Sequence, residues 1–376
     1  MRRTARFLTF AVLAMLLLPA ARRRIVRSDP APPSAAVSAV HYRGGASRSG
    51  VYAAGGPAHF SRRSWRAQTA EASFSSPVFA DGALYAVDGN GRVVAFDGSS
   101  GAPRWTSAVL GSVLSTVTVT SDRVFVGVNG HAVIALAVTD GHQLARYEAD
   151  AEVFASPLVD NGTLYIATES GALHAYDLAS AAKKWEFHGP GPAHGYPAAA
   201  NGVVYYGSGG ALVAVNADGS ERWRLQGPTP FFSPSLAVVE DVVYGSAANH
   251  AYAVDALTGT VKWTFDGPAG ATAFLSAPVV MNGLVIYGGG NPFRIFALNG
   301  GSGTVAWQKT LPAITEPIAA DGIVYGGAAQ IVYAWDPLNG AELSTFATSG
   351  EIATGLAVGG GRVYVHTQAR NVDAIE

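Results

Sequence analysis

The sequence contains no cysteine in 376 residues. This excludes a thiol nucleophile, a disulfide framework and any thiolate metal site, and leaves no cysteine for lipid attachment. Charge is also scarce: Asp, Glu, Lys and Arg make up 14%, for a formal net charge of −2. Seven of the 25 basic residues fall in the first 27 positions, where no acidic residue occurs, so the rest of the chain sets 18 basic against 27 acidic residues. A body this acidic, with no concentrated basic stripe, repels a phosphate backbone, and nucleic acid is not expected as a partner. No segment sustains helical periodicity or heptads. The sequence has no nucleophile elbow, His-Glu-x-x-His string, phosphate loop or dinucleotide fingerprint. The nine histidines are scattered without metal-ligand spacing, so no metal is expected. Asp88-Gly89-Asn90-Gly91 lacks the Glu that would complete a calcium loop and reads as a turn.

Long hydrophobic runs are missing as well. The longest, positions 7–18, is too short to span a bilayer, which takes about 20 residues. Arg2, Arg3 and Arg6 precede it and Pro19-Ala20-Ala21 follow, the layout of an export signal. Residues 1–21 are therefore expected to be a signal peptide or, if uncleaved, an N-terminal anchor. Residues 22–40, rich in Ser, Pro and Ala, form a flexible linker, and residues 41–376 form the folded body. This layout predicts an extracytoplasmic protein, in the periplasm or at the cell surface, touching a membrane only through its N-terminal segment.

What the chain does have is glycine, 45 residues of it, and an apolar share of 49%. It also repeats. Tyr85, Phe125, Tyr165, Tyr205, Tyr244, Ile286, Tyr325 and Tyr364 follow one another at intervals of 39 to 42 residues. Each comes just after a turn pair: Asp81-Gly82, Ser121-Asp122, Asn161-Gly162, Asn201-Gly202, Glu240-Asp241, Asn282-Gly283, Asp321-Gly322 or Gly360-Gly361. Such pairs suit two-residue hairpins, whose central residues need positive φ. The units close on the string Ala-x-Asp-x-x-(Ser/Thr)-Gly-x-x-x-Trp, clearest at Ala95 to Trp105 and Ala253 to Trp263, with near copies ending at Trp185, Trp223 and Trp307. In two units Ala145 and Ser344 stand where the tryptophan would fall. Four short strands per unit of about 40 residues make a propeller blade. The expected fold is all-β: an eight-bladed β-propeller with four antiparallel strands per blade. The last unit stops after its third strand, so an N-terminal strand around Trp65 should complete it and remove the open edge. Trp65, Trp105, Trp185, Trp223, Trp263 and Trp307 are then structural docking residues, each offering a flat surface to a neighbouring blade.

The closing string resembles the tryptophan-docking motif of pyrroloquinoline-quinone (PQQ) dehydrogenase propellers, and the Ser-Pro-Val, Asp-Gly-x-Leu-Tyr and Ala-x-Asp strings resemble the wider PQQ-like repeat family. His41-Tyr42-Arg43-Gly44-Gly45 through Gly50-Val51-Tyr52 is similar to that family's usual N-terminal segment. The resemblance implies two functions. One is a non-catalytic interaction or ligand-binding scaffold with envelope or extracellular proteins as partners, as in the propeller component of the outer-membrane barrel-assembly machinery. The other is a PQQ-dependent dehydrogenase lacking the usual cysteine pair; PQQ enters by resemblance only, and no cofactor is otherwise expected.

Blade topology places a candidate binding face. Connections leading into the innermost strands should share one end with the turns between second and third strands. The connections carry Phe74, Phe154, His194, Tyr196, Phe231, Phe232, Phe274 and Glu316. The turns add Asp88, Asn129, His131, Glu169, His250, Arg294, Gln330 and Arg370. Together they are expected to surround the channel mouth as a partner-binding or small-ligand surface.

Overall fold

The computed structural model describes residues 39–376 except 54, 73–74, 109–110, 194, 227–235, 248–249, 268–275, 290–292 and 353. No α-helix occurs among these residues, and the strands form eight sheets of the expected blade type. The first blade runs Val78–Ala80, Ala83–Val87, Arg92–Asp97 and Pro103–Ala108, each strand antiparallel to the last. Seven further blades follow in chain order: blade 2 over residues 118–148, blade 3 over 158–188, blade 4 over 198–226, blade 5 over 237–266, blade 6 over 279–310, blade 7 over 318–347, and blade 8 over 357–375. The repeated aromatic position falls at one place in every sheet, opposite the first residue of the innermost strand: Val78 pairs with Tyr85, Leu158 with Tyr165, Val279 with Ile286 and Ala357 with Tyr364.

The hairpin turns behave as their residue types require. Seven of the eight turn pairs place both central residues at positive φ, including Glu240 (50°) and Asp241 (59°) without any glycine. Ser121-Asp122 departs from the pattern, with the hydroxyl of Thr120 bonded to both Asp122 and the Arg123 amide. Second and third strands are buried on both sides, as in Val203–Ser208 and Ala132–Ala137, because a neighbouring blade covers each face. The hydrophobic clusters accordingly lie between sheets: Trp65, Leu84, Phe96, Tyr364 and Ala374 join blades 8 and 1, and Tyr244, Trp263, Val285, Tyr287 and Phe296 join blades 5 and 6.

Closure follows the expected route. Arg63–Gln68 is the outer strand of the sheet that holds Ala357–Gly359, Arg362–His366 and Asn371–Ile375. Trp65 pairs with Ala374, and a register shift separates it from Arg63. The same shift follows Ala95–Trp105, Ala253–Trp263 and Ala297–Trp307, so the N-terminal strand is the missing fourth strand of the eighth repeat. Buried Asp373 pins it, with Arg66 Nε at 2.8 Å and Arg63 Nε at 3.1 Å.

Each docking tryptophan reaches the following blade. The indole N–H donates to the carbonyl just past that blade's Asp position: Trp65 to Gly98, Trp105 to Val138, Trp185 to Ala217, Trp223 to Ala256, Trp263 to Gly300 and Trp307 to Pro337, at 2.7 to 3.0 Å. The ring lies on that blade's turn glycine. A Cβ on Gly101, Gly141, Gly219, Gly259, Gly303 or Gly340 would stand 2.4 to 2.8 Å from ring atoms.

Candidate functional site: a channel lined by the N-terminal segment

The innermost strand of a blade has a neighbour on only one side, so its other edge presents unpaired amides to the channel. Here one chain segment, residues 40–52, satisfies them blade by blade. The second residue of the innermost strand donates its N–H from Val119 to Val40 O, from Val159 to His41 Nε2, and from Ala199 to Ala46 O. Val238 donates to Ser47 O, Val280 to Ser49 O and Ala319 to Gly50 O. These six contacts, in blades 2 to 7, run in sequence order along the segment. In blade 7, Val51–Tyr52 goes further and pairs parallel with Ile318–Ala320 as a fifth strand.

Two arginines anchor the segment, both fully buried. Arg43 donates to the carbonyls of Pro317, Ala277 and Pro278. Arg48 donates to those of Pro197, Tyr42, Ser156 and Pro157. Burial holds both guanidinium groups down to a pKa of about 10, so they remain cations at neutral pH, solvated by carbonyls instead of water. Gly44 (φ 92°) has room for no side chain, since a Cβ there would lie 2.3 Å from Val51 O. His41 is buried and held to a pKa of about 3, first by burial and then by the Arg48 charge, so it stays neutral and keeps Nε2 free as an acceptor.

A cavity of about 320 Å³ opens beside this segment. Tyr42 of the segment contributes to its wall, with Ser76, Thr116, Tyr196, Glu316, Glu351 and Thr354. Four blades link hands here through one repeat position: Gly355 N donates to Ser76 Oγ, Ser76 N to Thr116 Oγ1, and Thr116 N to Ser156 Oγ. Tyr196 and Glu316 occupy that position in blades 4 and 7. Tyr196 meets Tyr42 edge-on at 5.4 Å. Burial pushes the Glu316 carboxyl up to about 7. A backbone hydrogen bond at Ala277 offsets part of this, and Arg43 Nη1 lies 4.0 Å away.

Of the residues expected around the mouth, Tyr196 and Glu316 line this cavity. Phe154 is half-buried nearby in the sequence, whereas Phe74, His194, Phe231, Phe232 and Phe274 lie outside the described residues. The second-to-third turns do meet the incoming connections, through Asn129 N to Ser112 O, Glu169 N to Glu152 O and Gln368 N to Glu351 O. This puts both sets at one end of the molecule, but none of the eight expected turn residues lines the cavity, where Ala329 stands for the turn that holds Gln330. Asp88 is buried and accepts the amides of Asn90 and Arg92. His131 (3.8 Å from Glu152) and His250 (2.6 Å from Asp266) pair with carboxylates, and Arg294 bonds Gln308. Arg370 reaches Ala70 O and Glu71, and Gln330 is exposed. Sequence reasoning missed Tyr42, Arg43 and Arg48 as channel residues. The available signal was a segment with two arginines, several glycines and no acidic partner between positions 41 and 52.

A family profile described as outer membrane protein assembly factor BamB matches residues 37–186 and 188–320. Among characterised relatives, the serine/threonine-protein kinase AfsK of Streptomyces griseus is 28% identical over 51% of this chain and 26% of its own length. Outer membrane protein assembly factor BamB of Burkholderia pseudomallei is 23% identical over 71% of this chain and 64% of its own length. The alignments thus span about a quarter of the first relative and just under two thirds of the second. The crystal structure of BamB from Moraxella catarrhalis superposes with a TM-score of 0.69 at 17% identity, covering 84% of this chain and 97% of that one. Quinohemoprotein alcohol dehydrogenase from Comamonas testosteroni gives 0.71 at 14% identity, covering 88% and 79%. At these identities the structures show a shared propeller fold, and the profile match over most of the chain shows more: the protein belongs to the PQQ-like repeat family described as outer membrane protein assembly factor BamB.

Proposed function

We propose that the protein is a non-catalytic scaffold of the cell envelope, exported or anchored by residues 1–21 and tethered by residues 22–40. Its partners are envelope proteins, and by analogy with its BamB relatives these belong to outer-membrane protein assembly. The carrying observation is that the protein's own segment 40–52 occupies the inner edge of six blades, a position from which a propeller would otherwise hold a ligand deep in its channel. What is left for recognition is the mouth end, with the shallow cavity at Tyr42, Tyr196 and Glu316 and the turns around it. The test is a photo-crosslinking amino acid at Gln330 or Arg370, compared with one at Asn161 or Asn201 in the turns of the opposite end. Crosslinks to an outer-membrane assembly protein from the first pair alone are expected. Equal crosslinking from both ends, or from neither, would count against the proposal.

The dehydrogenase alternative fares poorly on donor chemistry. PQQ is a planar tricarboxylate and needs cationic or amide donors. Among the described residues the cavity wall offers the carboxyls of Glu316 and Glu351 and a set of hydroxyls, while Arg43 and Arg48 are committed to carbonyls. Equilibrium dialysis with PQQ and calcium should leave no quinone on the protein.

A further inference from the structure

The third strand of each blade has one position, just before its repeated alanine, that faces the neighbouring blade. Six blades fill it with Val94, Ile134, Val213, Tyr252, Phe296 or Tyr333. Blade 8 places Asp373 there, balanced by Arg63 and Arg66. Blade 3, built of Leu158–Asp160, Thr163–Ala167, Ala172–Asp177 and Lys183–His188, places His174 there, with its side chain 1% exposed. Two carboxylates converge on it. Asp150 Oδ1 lies 2.8 Å from Nε2 and Glu186 Oε2 lies 3.2 Å from Nδ1. Nδ1 is buried, and no group meets it in hydrogen-bonding geometry.

The balance of charge differs from that in blade 8. There, two arginines surround one carboxylate. Here two carboxylates surround one imidazole, and the nearest fixed cation is Lys183, 2.7 Å from Glu186 Oε2. One nitrogen and two carboxylate oxygens, all within 4.8 Å of one another, form a donor set of the zinc type. The two carboxylates stand at different ring nitrogens, so an ion on Nε2 would lie between that nitrogen and Asp150, and Glu186 has to swing from Nδ1 toward it to reach a metal–ligand distance of about 2.0–2.2 Å. Asp150 is held in place by Thr168 and Ser170, the kind of outer support that orients a ligand. Both carboxylates are about 30% exposed, so an ion has access. The aliphatic and aromatic counterparts in six blades show that blade packing alone does not call for a histidine.

We propose that Asp150, His174 and Glu186 form a binding site for a divalent transition metal of the zinc class, bridging the connection from blade 2 to the third and fourth strands of blade 3. Lys183 occupies Glu186 in the metal-free protein and gives way when the ion binds. The exposed His188, 3.1 Å from Glu186 Oε1, is placed to supply a fourth ligand.

The test uses the full-length protein, stripped with chelator and titrated with Zn²⁺ by calorimetry, with Co²⁺ as a spectroscopic probe of ligand number. One equivalent of Zn²⁺ is expected. Asp150→Asn and Glu186→Gln should weaken binding at least about tenfold. His174→Val installs the residue of blades 1 and 4, so it should fold normally and lose the site. Lys183→Met should bind more tightly than the native protein. The proposal is overturned if Zn²⁺ does not saturate one site, or if binding survives His174→Val. Loss on His188→Ala but not on His174→Val would place the ion on the surface pair His188–Glu186 instead, and would equally overturn it.

Discussion

Trp263 rests its ring on Gly303, and a Cβ built on that glycine would stand 2.7 Å from the ring. The contact joins two residues 40 apart, so each blade fixes what the next can carry at one turn position. The two units without the tryptophan fit this rule. Blade 2 has Ala145 in its place, and the next blade's turn carries Ala181 at φ 58° where the others have glycine. The carbonyl freed there, Leu178 O, is taken by Arg123. Blade 7 has Ser344, and the following sheet has no such turn, because its outer strand comes from the N-terminal side; the Ser344 hydroxyl accepts the Phe60 amide instead. Trp263→Ala should cost about 3–5 kcal/mol, as for a buried aromatic. Gly303→Ala should cost about 1–3 kcal/mol by overpacking, with strain from its positive φ added. Ala181→Gly meets no ring and relieves a strained φ, so it should be neutral or stabilise by up to about 1 kcal/mol. Urea unfolding of the three variants checks the pattern, and a loss at Ala181→Gly as large as that at Gly303→Ala would refute the pairing rule.

At the scale of elements, blades and channel segment differ in how far they could be read from sequence. The blades were legible because a two-residue hairpin demands positive φ, and turn pairs that meet this demand recur seven times beside one evenly spaced, mostly aromatic position. The closing strand was legible because Trp65 carries the same mark. Segment 40–52 occurs once, has no period, and takes its conformation from edges supplied by six distant strands, so nothing local announces it. The mouth residues were only partly legible for the same reason: strand order gives the end of the molecule on which a turn lies, not how far it stands from the axis. Three buried titratable groups, one of them in this segment, make stability depend on pH in opposite directions. His41 (about 3) and His366 (about 4) lie below the ordinary imidazole value. The unfolded chain therefore binds protons that the folded protein refuses, and stability rises as pH climbs toward 6.5. Glu316 sits at about 7 against an ordinary 4.5. The folded protein holds a proton there that the unfolded chain releases, so its contribution falls as pH rises from 4.5 to 7. Glu316→Gln should remove that fall and be more stable than the native protein at pH 7.5, with the advantage gone at pH 4.5. Urea melts at the two pH values decide it; a variant less stable at pH 7.5 would show that the carboxylate is stabilised in the folded state.

For the molecule as a whole, the ring is closed twice by neighbouring stretches of chain, and the two closures are separable. Arg63–Gln68 completes blade 8 at the rim, while residues 40–52 tie blades 2 to 7 together at the axis. A truncated chain beginning at residue 58 keeps the first and loses the second. It should still fold as eight blades, since each sheet keeps its four strands and the Trp–Gly contacts between blades remain. The cost should be concentrated at the axis, where six amides lose their acceptors. Hydrogen exchange at Val119, Val159, Ala199, Val238, Val280 and Ala319 should speed up by about fivefold or more, in keeping with about 1 kcal/mol for each lost bond. Amides of the outer strands, such as those pairing Ala253 with Trp263, should barely change. If exchange rose uniformly through all eight blades, the segment would be part of the cooperative core and not a separate inner tie. If the six axial amides kept their protection, the channel would be closed by contacts between the blades themselves.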